Sequence, residues 1–150
     1  MNRWLKAILI AIIVVLLFTS YLYLRRGYVN LYILNKAFGS GAVVLAGLTL
    51  IVRPLLSRLP ILNPLMTIRR HLGLSAFGLV LGHVVISVFF LPQRFPLSWY
   101  LEEWLPVTFG VMAILIWVFL SLISTDAKVK KLGPDRWRKY QSIGGRLAFI

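Results

Sequence analysis

The chain has 150 residues, of which 59% are hydrophobic, and it carries 17 Lys and Arg against 4 Asp and Glu. Soluble domains are about 45–50% apolar, so the composition excludes an ordinary soluble domain and indicates an integral membrane protein. A net charge of +13 would suggest nucleic-acid binding in a soluble protein, but here the basic residues lie between apolar runs, where membrane topology accounts for them. The lack of cysteine excludes disulfides, cysteine-ligated iron–sulfur clusters and thiol catalysis.

The first two predicted spans are residues 5–24 and 34–56. No charged residue lies between Ala7 and Leu24, and about 20 residues at 1.5 Å each cross a hydrocarbon core. The first run is too long for the core of a cleaved signal peptide, so we expect a retained helix. The second run is rich in Gly, Ala and Ser, which allow helix backbones to approach closely in lipid.

The third predicted span, residues 71–91, contains both histidines of the chain, His71 and His83. Gly78 and Gly82 form a G-x-x-x-G pair, a pattern typical of helix association in membranes. On a helix the two histidines lie about 18 Å apart along the axis and about 120° apart around it. The sequence therefore predicts that they do not share one metal ion.

The remaining segments complete a polytopic pattern. Residues 92–106 form a predicted interfacial loop that holds Trp, Tyr and both glutamates, which we interpret as solvated loop charges. Residues 107–125 are the fourth predicted span, and 126–146 a basic loop. A fifth span is predicted to begin at about residue 143, and we expect it to be cut short by a truncated sequence. The predicted fold class is an all-α transmembrane helix bundle of four full spans plus the start of a fifth, in a single domain covering 1–150.

Basic residues set the predicted orientation. With a cytoplasmic N-terminus, thirteen of the seventeen Lys and Arg lie inside and four outside. The positive-inside rule then places the N-terminus and the loop after the fourth span in the cytoplasm. The predicted location is the cell (inner) membrane, which the chain crosses several times.

His83 is the candidate functional residue, because a histidine inside a membrane span is costly. Three interpretations compete from the residues alone. An interhelical hydrogen bond contributes about 0.6 kcal/mol on average in membranes. A proton or ion relay usually needs further acids or histidines, which the other spans lack. The third interpretation is axial ligation of haem by a neutral imidazole. His71, at the predicted interface, is expected to be solvated or to contact headgroups. The neighbouring Arg69–Arg70 pair is expected to contact lipid phosphates first and haem propionates second.

Several pieces of the chain together resemble the ferric-reductase-like transmembrane domain. They follow in order over roughly residues 39–146: Gly41–Pro54, then Arg69-Arg70-x-Leu72-Gly73-Leu74 with His83 eleven residues beyond Leu72, then Ser124-Thr125-Asp126, then Lys131-Leu132-Gly133 and Trp137. Within that family the similarity is closest to the haem-binding membrane subunit of the bacterial methionine-sulfoxide reductase system.

The resemblance implies a b-type cytochrome subunit, in which haem b lies between the third and fifth helices of a six-helix bundle. Electrons would pass from a cytoplasmic reductant, or a reductase partner subunit, to an acceptor across the membrane. His83 matches the third-helix axial ligand of the haem iron, and Arg70, Trp137 and Arg138 are candidates for the cytoplasmic rim of the haem site. Catalytic residues are not predicted.

The sequence departs from the family at one ligand position. Gln141 stands where the family often has a histidine, and Gln is a poor haem ligand beside imidazole. The remaining fifth-helix histidine would fall just past Ile150, so the second ligand is missing from this chain. The alternative function is a haem-free structural or partner-binding bundle, in which Gly78 and Gly82 form an association face and His83 is a buried hydrogen-bonding group.

Overall fold

The computed structural model describes residues 2–56 and 63–147, and over these residues the protein is helical without any strand. Within the described ranges, four helices are long and apolar enough to cross a membrane: Arg3–Arg26, Leu31–Val52, Leu65–Phe90 and Trp104–Leu122. The predicted all-α, multi-pass membrane fold is confirmed. The packing divides the chain into two compact units, 1–95 and 96–150, while the single-domain assignment stays a prediction.

Unit 1 (residues 1–95) contains three long helices: α1 (Arg3–Arg26), α2 (Leu31–Leu56) and α3 (Asn63–Val85), the last continued by a π-helical turn at Ile86–Phe90. The turn between α1 and α2 is specified locally. Gly27 adopts a φ of 76°, which a glycine accepts without strain, and its N–H donates to the Tyr23 carbonyl at 2.7 Å. The Asn30 side chain then accepts from the Ile33 N–H at 2.9 Å and caps α2.

Side-chain contacts show that α2 runs opposite to α1 and α3. Trp4 near the start of α1 contacts His71 in the first half of α3, with ring centroids 4.8 Å apart. Arg69, also in that half of α3, donates to the carbonyl of Thr49 late in α2. We call this the arginine end of unit 1. The opposite end, where α2 begins and α3 ends, carries His83 and is called the histidine end.

Small residues make the packed faces of unit 1. The buried residues include Ala7 and Ala11 of α1, Ala37 and Ala42 of α2 and Ala76 of α3. Such side chains let helices approach closely, which is how packing holds helices together in lipid. Many large apolar side chains of α1 instead point away from the unit, as expected of surfaces that lie against lipid tails.

The third helix begins at Asn63, eight residues earlier than predicted. Pro64 lies in its first turn, where the missing N–H would have no helical partner in any case. Arg69 and Arg70 therefore lie on the helix rather than before it. Residues 63–70, which lie before the predicted third span, are helical as well, and residues 57–62 lie outside the described residues.

Unit 2 (residues 96–150) contains α4 (Leu97–Glu102), α5 (Trp104–Leu122), α6 (Asp126–Leu132) and α7 (Pro134–Leu147). The prediction that 126–146 is a loop is wrong, because Lys, Arg and Leu are good helix formers and this segment forms two helices. Gly133, with a φ of 78°, separates them. Residues 143–147 of the predicted fifth span form the end of α7, and 148–150 lie outside the described residues.

Candidate functional site

A closed set of hydrogen bonds joins α2 to α3 near the histidine end. The Asn35 Nδ2 donates to Ser87 Oγ at 2.8 Å, and Ser87 Oγ donates to the His83 carbonyl at 2.9 Å. The His83 Nδ1 returns to the Asn35 carbonyl at 2.9 Å. We call these three residues the histidine cluster. Asn35 is only 1% exposed, while His83 and Ser87 are half-buried.

The partner of Nδ1 determines the tautomer of His83. A carbonyl oxygen only accepts hydrogen bonds, so Nδ1 must carry a proton. In a neutral imidazole the lone pair is then on Nε2, which has no hydrogen-bond partner among the described residues. An imidazole whose Nδ1–H is held by a backbone carbonyl is oriented to bind a metal through Nε2.

Glycine provides the room for this imidazole. A Cβ at Gly39 would lie 3.2 Å from His83 Nδ1 and 3.3 Å from Cε1, so a larger residue would press on the ring. A Cβ at Gly82 would lie 3.0 Å from the Phe38 ring of α2, whereas nothing lies within 4 Å of one at Gly78. The two members of the predicted G-x-x-x-G pair therefore differ. Among the described residues of unit 1, Gly82 allows the close approach of α3 to Phe38, and Gly78 faces open space.

One acceptor of the histidine cluster is unused within the part of the chain that the structure describes. The Asn35 Oδ1 is buried and has no hydrogen-bond partner there. Leaving a buried acceptor unpaired costs about 1–3 kcal/mol. The histidine cluster therefore carries one polar atom that the contact between α2 and α3 does not use.

The arginine end carries the other predicted residues of unit 1. Arg69 Nε donates to the Thr49 carbonyl at 2.6 Å, and His71 meets the Trp4 ring edge-on. Arg70 has its Nε buried. It lies thirteen residues before His83, about 20 Å along the helix axis. The structure therefore does not bring Arg70 and His83 together.

Unit 2 contains a second polar cluster, which joins α7 to α5. The Gln141 Nε2 donates to Ser124 Oγ at 2.7 Å and to the Leu120 carbonyl at 3.2 Å, and Ser124 Oγ donates to the same carbonyl at 2.7 Å. We call this the glutamine cluster. Beside it, a Cβ at Gly144 would lie 2.8 Å from Leu120 Cδ2, which shows how closely the two helices approach. The Gln141 amide thus connects the two helices.

Trp137 and Arg138, the other predicted site residues, also lie on α7. The Trp137 ring is half-buried, and its Nε1 is buried without a hydrogen-bond partner among the described residues. Arg138 is exposed and lies 3.9 Å from Asp135 one turn earlier, a surface ion pair that contributes little to stability. Both belong to unit 2, so their grouping with His83 stays a prediction.

The donor set of the chain fits haem better than a bare metal ion. A bare zinc ion takes three or four side-chain ligands, and no group of three His, Cys, Asp or Glu occurs within 2–56 and 63–147. Haem iron takes four ligands from the porphyrin and needs only one or two from the protein. His83, with Nδ1 fixed and Nε2 available, fits one such axial position.

Comparison of the sequence with known protein families and with curated proteins finds no match. The sequence interpretation selected His83, whose role as a haem ligand stays a prediction, and did not include Asn35 or Gly39. A signal for Asn35 was present, since an amide within an apolar run requires a partner. The contact between Gly39 and His83 had no signal, because it depends on how α2 and α3 are aligned.

Proposed function

We propose that this protein is a membrane electron-transfer subunit of b-cytochrome type, with His83 as an axial ligand of haem b. Support comes from the imidazole itself: it lies in a membrane-spanning helix, its Nδ1–H is held by the Asn35 carbonyl, and its Nε2 is available to a ligand. The sequence resemblance to the ferric-reductase-like transmembrane domain, if it reflects a shared fold, would imply an axial histidine at this position.

The single observation that carries the proposal is a comparison of the two clusters. In each, a side-chain amide donates to a serine hydroxyl, which donates to the carbonyl four residues earlier on the other helix. That carbonyl belongs to His83 in unit 1 and to Leu120 in unit 2. Because α5 and α7 are joined without an imidazole, the imidazole of His83 is an addition to the shared arrangement, and its Nε2 has no hydrogen-bond partner among the described residues.

Bound haem would supply a one-electron redox centre within the membrane. The chain's own residues would hold and tune it. His83 would provide Nε2, and the Asn35 carbonyl would keep the ring in one tautomer and raise the basicity of that nitrogen. Gly39 leaves the ring its space, and the surrounding apolar spans exclude water.

The orientation and partners form part of the same proposal. A cytoplasmic N-terminus puts the arginine end of unit 1 and the basic helices α6 and α7 on the cytoplasmic side of the cell membrane. Arg70 in unit 1 and, separately, Trp137 and Arg138 in unit 2 are the residues that a cytoplasmic reductant or reductase subunit would approach. Electrons would leave toward an acceptor on the opposite side.

The test is a reduced-minus-oxidised visible spectrum of the purified full-length protein. We expect a b-type band that is absent from His83→Ala and retained in His71→Ala, the matched variant at the chain's other histidine. A pyridine extract of the same samples measures haem per protein independently of the spectrum. If wild-type protein made with ample haem contains none, the proposal is overturned.

One specific observation favours a second function, a haem-free structural bundle. The histidine cluster already satisfies Nδ1 and connects two helices, which is a sufficient role for a buried polar group in lipid. Under that function His83→Ala would lower the stability of unit 1 and no variant would change a haem signal, since none would exist. The spectrum therefore separates the two functions.

A further inference from the structure

We propose that Arg26, Tyr32 and Arg94 form a binding site for a phosphate group at the histidine end of unit 1. The guanidinium carbon of Arg94 lies 4.5 Å from the centroid of the Tyr32 ring, and that of Arg26 lies 5.9 Å from it. Each contact is a cation–π interaction. The two guanidinium groups are therefore no more than about 10 Å apart, roughly one Debye length at physiological salt.

Local structure fixes each cation beside the ring. Arg26 is the last residue of α1, directly before the Gly27 turn. Arg94 lies in a turn in which its own N–H and that of Phe95 both donate to the Leu91 carbonyl at 3.0 Å. The Phe95 ring also contacts Tyr32, with centroids 6.4 Å apart. Backbone turns thus set the main-chain positions of the two arginines, and their exposed side chains meet the same aromatic ring.

No acidic group of unit 1 can balance these charges. Residues 1–95 contain ten Lys and Arg but no Asp or Glu, and all four acids of the chain lie in 96–150. Tyr32 lies in the first turn of α2, whose N-terminal end adds about half a positive charge. The C-terminal end of α1 offsets about the same amount, so the two arginines remain without a full counter-charge within the unit.

The chemistry of the pair selects a phosphate. A guanidinium group binds an oxyanion through two parallel N–H bonds, and a phosphate has enough oxygens to accept from two such groups at once. The position at the end of three membrane-spanning helices allows two sources, the headgroup of an anionic phospholipid or a soluble phosphate. The proposal does not depend on haem.

The experiment uses the full chain in phosphatidylcholine nanodiscs with and without phosphatidylglycerol, and counts retained phosphatidylglycerol by native mass spectrometry. Arg26→Gln and Arg94→Gln should each weaken retention about tenfold. Arg25→Gln is the matched control. It removes the same charge one position earlier in the chain, from a side chain that has no described contact to Tyr32, and phosphatidylglycerol retention should stay within about twofold of the wild type. Tyr32→Phe should retain binding and Tyr32→Leu should lose part of it.

A titration with inorganic phosphate in phosphatidylcholine nanodiscs distinguishes the two sources. If phosphate binding depends on Arg26 and Arg94, the site is supported and its ligand is a soluble phosphate. If phosphatidylglycerol retention depends on the same two residues, the site is supported and its ligand is a lipid headgroup. If Arg25→Gln matches the other two arginine variants, or if none of the three changes binding of either probe, the site is overturned.

Discussion

The histidine cluster of unit 1 and the glutamine cluster of unit 2 are built from the same parts. Each has an amide side chain on one helix, a serine just past the end of the other and a hydrogen bond from that serine to the carbonyl four residues back. Each also has a glycine at the closest approach, Gly39 against His83 and Gly144 against Leu120.

The difference lies in the residue that carries the shared carbonyl. In unit 2 it is a leucine, which adds only packing. In unit 1 it is a histidine whose second nitrogen has no hydrogen-bond partner among the described residues. The glutamine cluster joins two helices through an amide, a serine hydroxyl and a carbonyl. The histidine cluster has the same three groups and an imidazole in addition. The comparison can be tested by altering corresponding positions in the two units.

The largest effect is expected for His83→Ala. Losing even a group that only orients a metal ligand costs about 10–100-fold in affinity, so loss of the ligand itself should lower haem retention by about 100-fold or more. Ser124→Ala is the control in the other unit and should leave haem retention unchanged. The measurement is haem per protein after purification in detergent. Equal haem content in the two variants would contradict the assignment.

Gly144→Ala should give the next largest effect, on stability. Its Cβ would lie 2.8 Å from Leu120 Cδ2 and 3.2 Å from Cγ, so α7 and α5 must separate or Leu120 must leave its rotamer, at a cost of about 2 kcal/mol. Gly110→Ala is the matched control on α5, since nothing lies within 4 Å of its Cβ. Unfolding in mixed detergent micelles, followed by circular dichroism, measures both variants. Identical unfolding curves would show that the helices do not pack as described.

Gly39→Ala should act on the ligand rather than on the helix pair alone. The new Cβ would lie 3.2 Å from His83 Nδ1 and press on the ring that the Asn35 carbonyl orients. We expect haem affinity to fall about tenfold, as for other changes that disturb the orientation of a ligand. Gly78→Ala, in open space on α3, should leave affinity within about twofold. A haem titration that ranks the two glycine variants the other way would argue against His83 as ligand.

The smallest effects are expected for the two amides. Asn35→Ala and Gln141→Ala each remove a side-chain donor to a serine, and such bonds contribute about 0.6 kcal/mol in membranes. Asn35→Ala also removes a buried acceptor that has no partner among the described residues. It should therefore lower the free energy of unfolding less than Gln141→Ala does. The same unfolding assay compares them. A cost for Asn35→Ala well above that of Gln141→Ala would mean that the histidine cluster is chiefly structural.

Much of the fold followed from the sequence because a bilayer imposes simple rules. Apolar runs long enough to cross it predicted all four long helices to within a few residues, except at the start of α3. There, the predicted span begins at residue 71, although Pro64 suits the first turn of a helix that begins at Asn63. The basic segment 126–146 was predicted as a loop because its charge was given more weight than its helix propensity.

The candidate site was only partly predictable. His83 could be selected because an imidazole in a span is costly whatever surrounds it. Its partnership with Asn35, the space at Gly39 and the matching cluster at Gln141 depend on the alignment of neighbouring helices, which no local pattern encodes. Close packing in lipid is decided by side-chain shapes along the whole interface.

Nitrogen-15 NMR of the full chain, labelled at histidine and held in nanodiscs, tests the central claim most directly. The chain has only two histidines, so His71→Ala assigns the remaining signals to His83. We expect a protonated Nδ1 that is hydrogen-bonded and an unprotonated Nε2 whose signal alone is lost or strongly shifted when haem is added. A proton on Nε2, or an Nε2 signal that does not change with haem, would contradict the account.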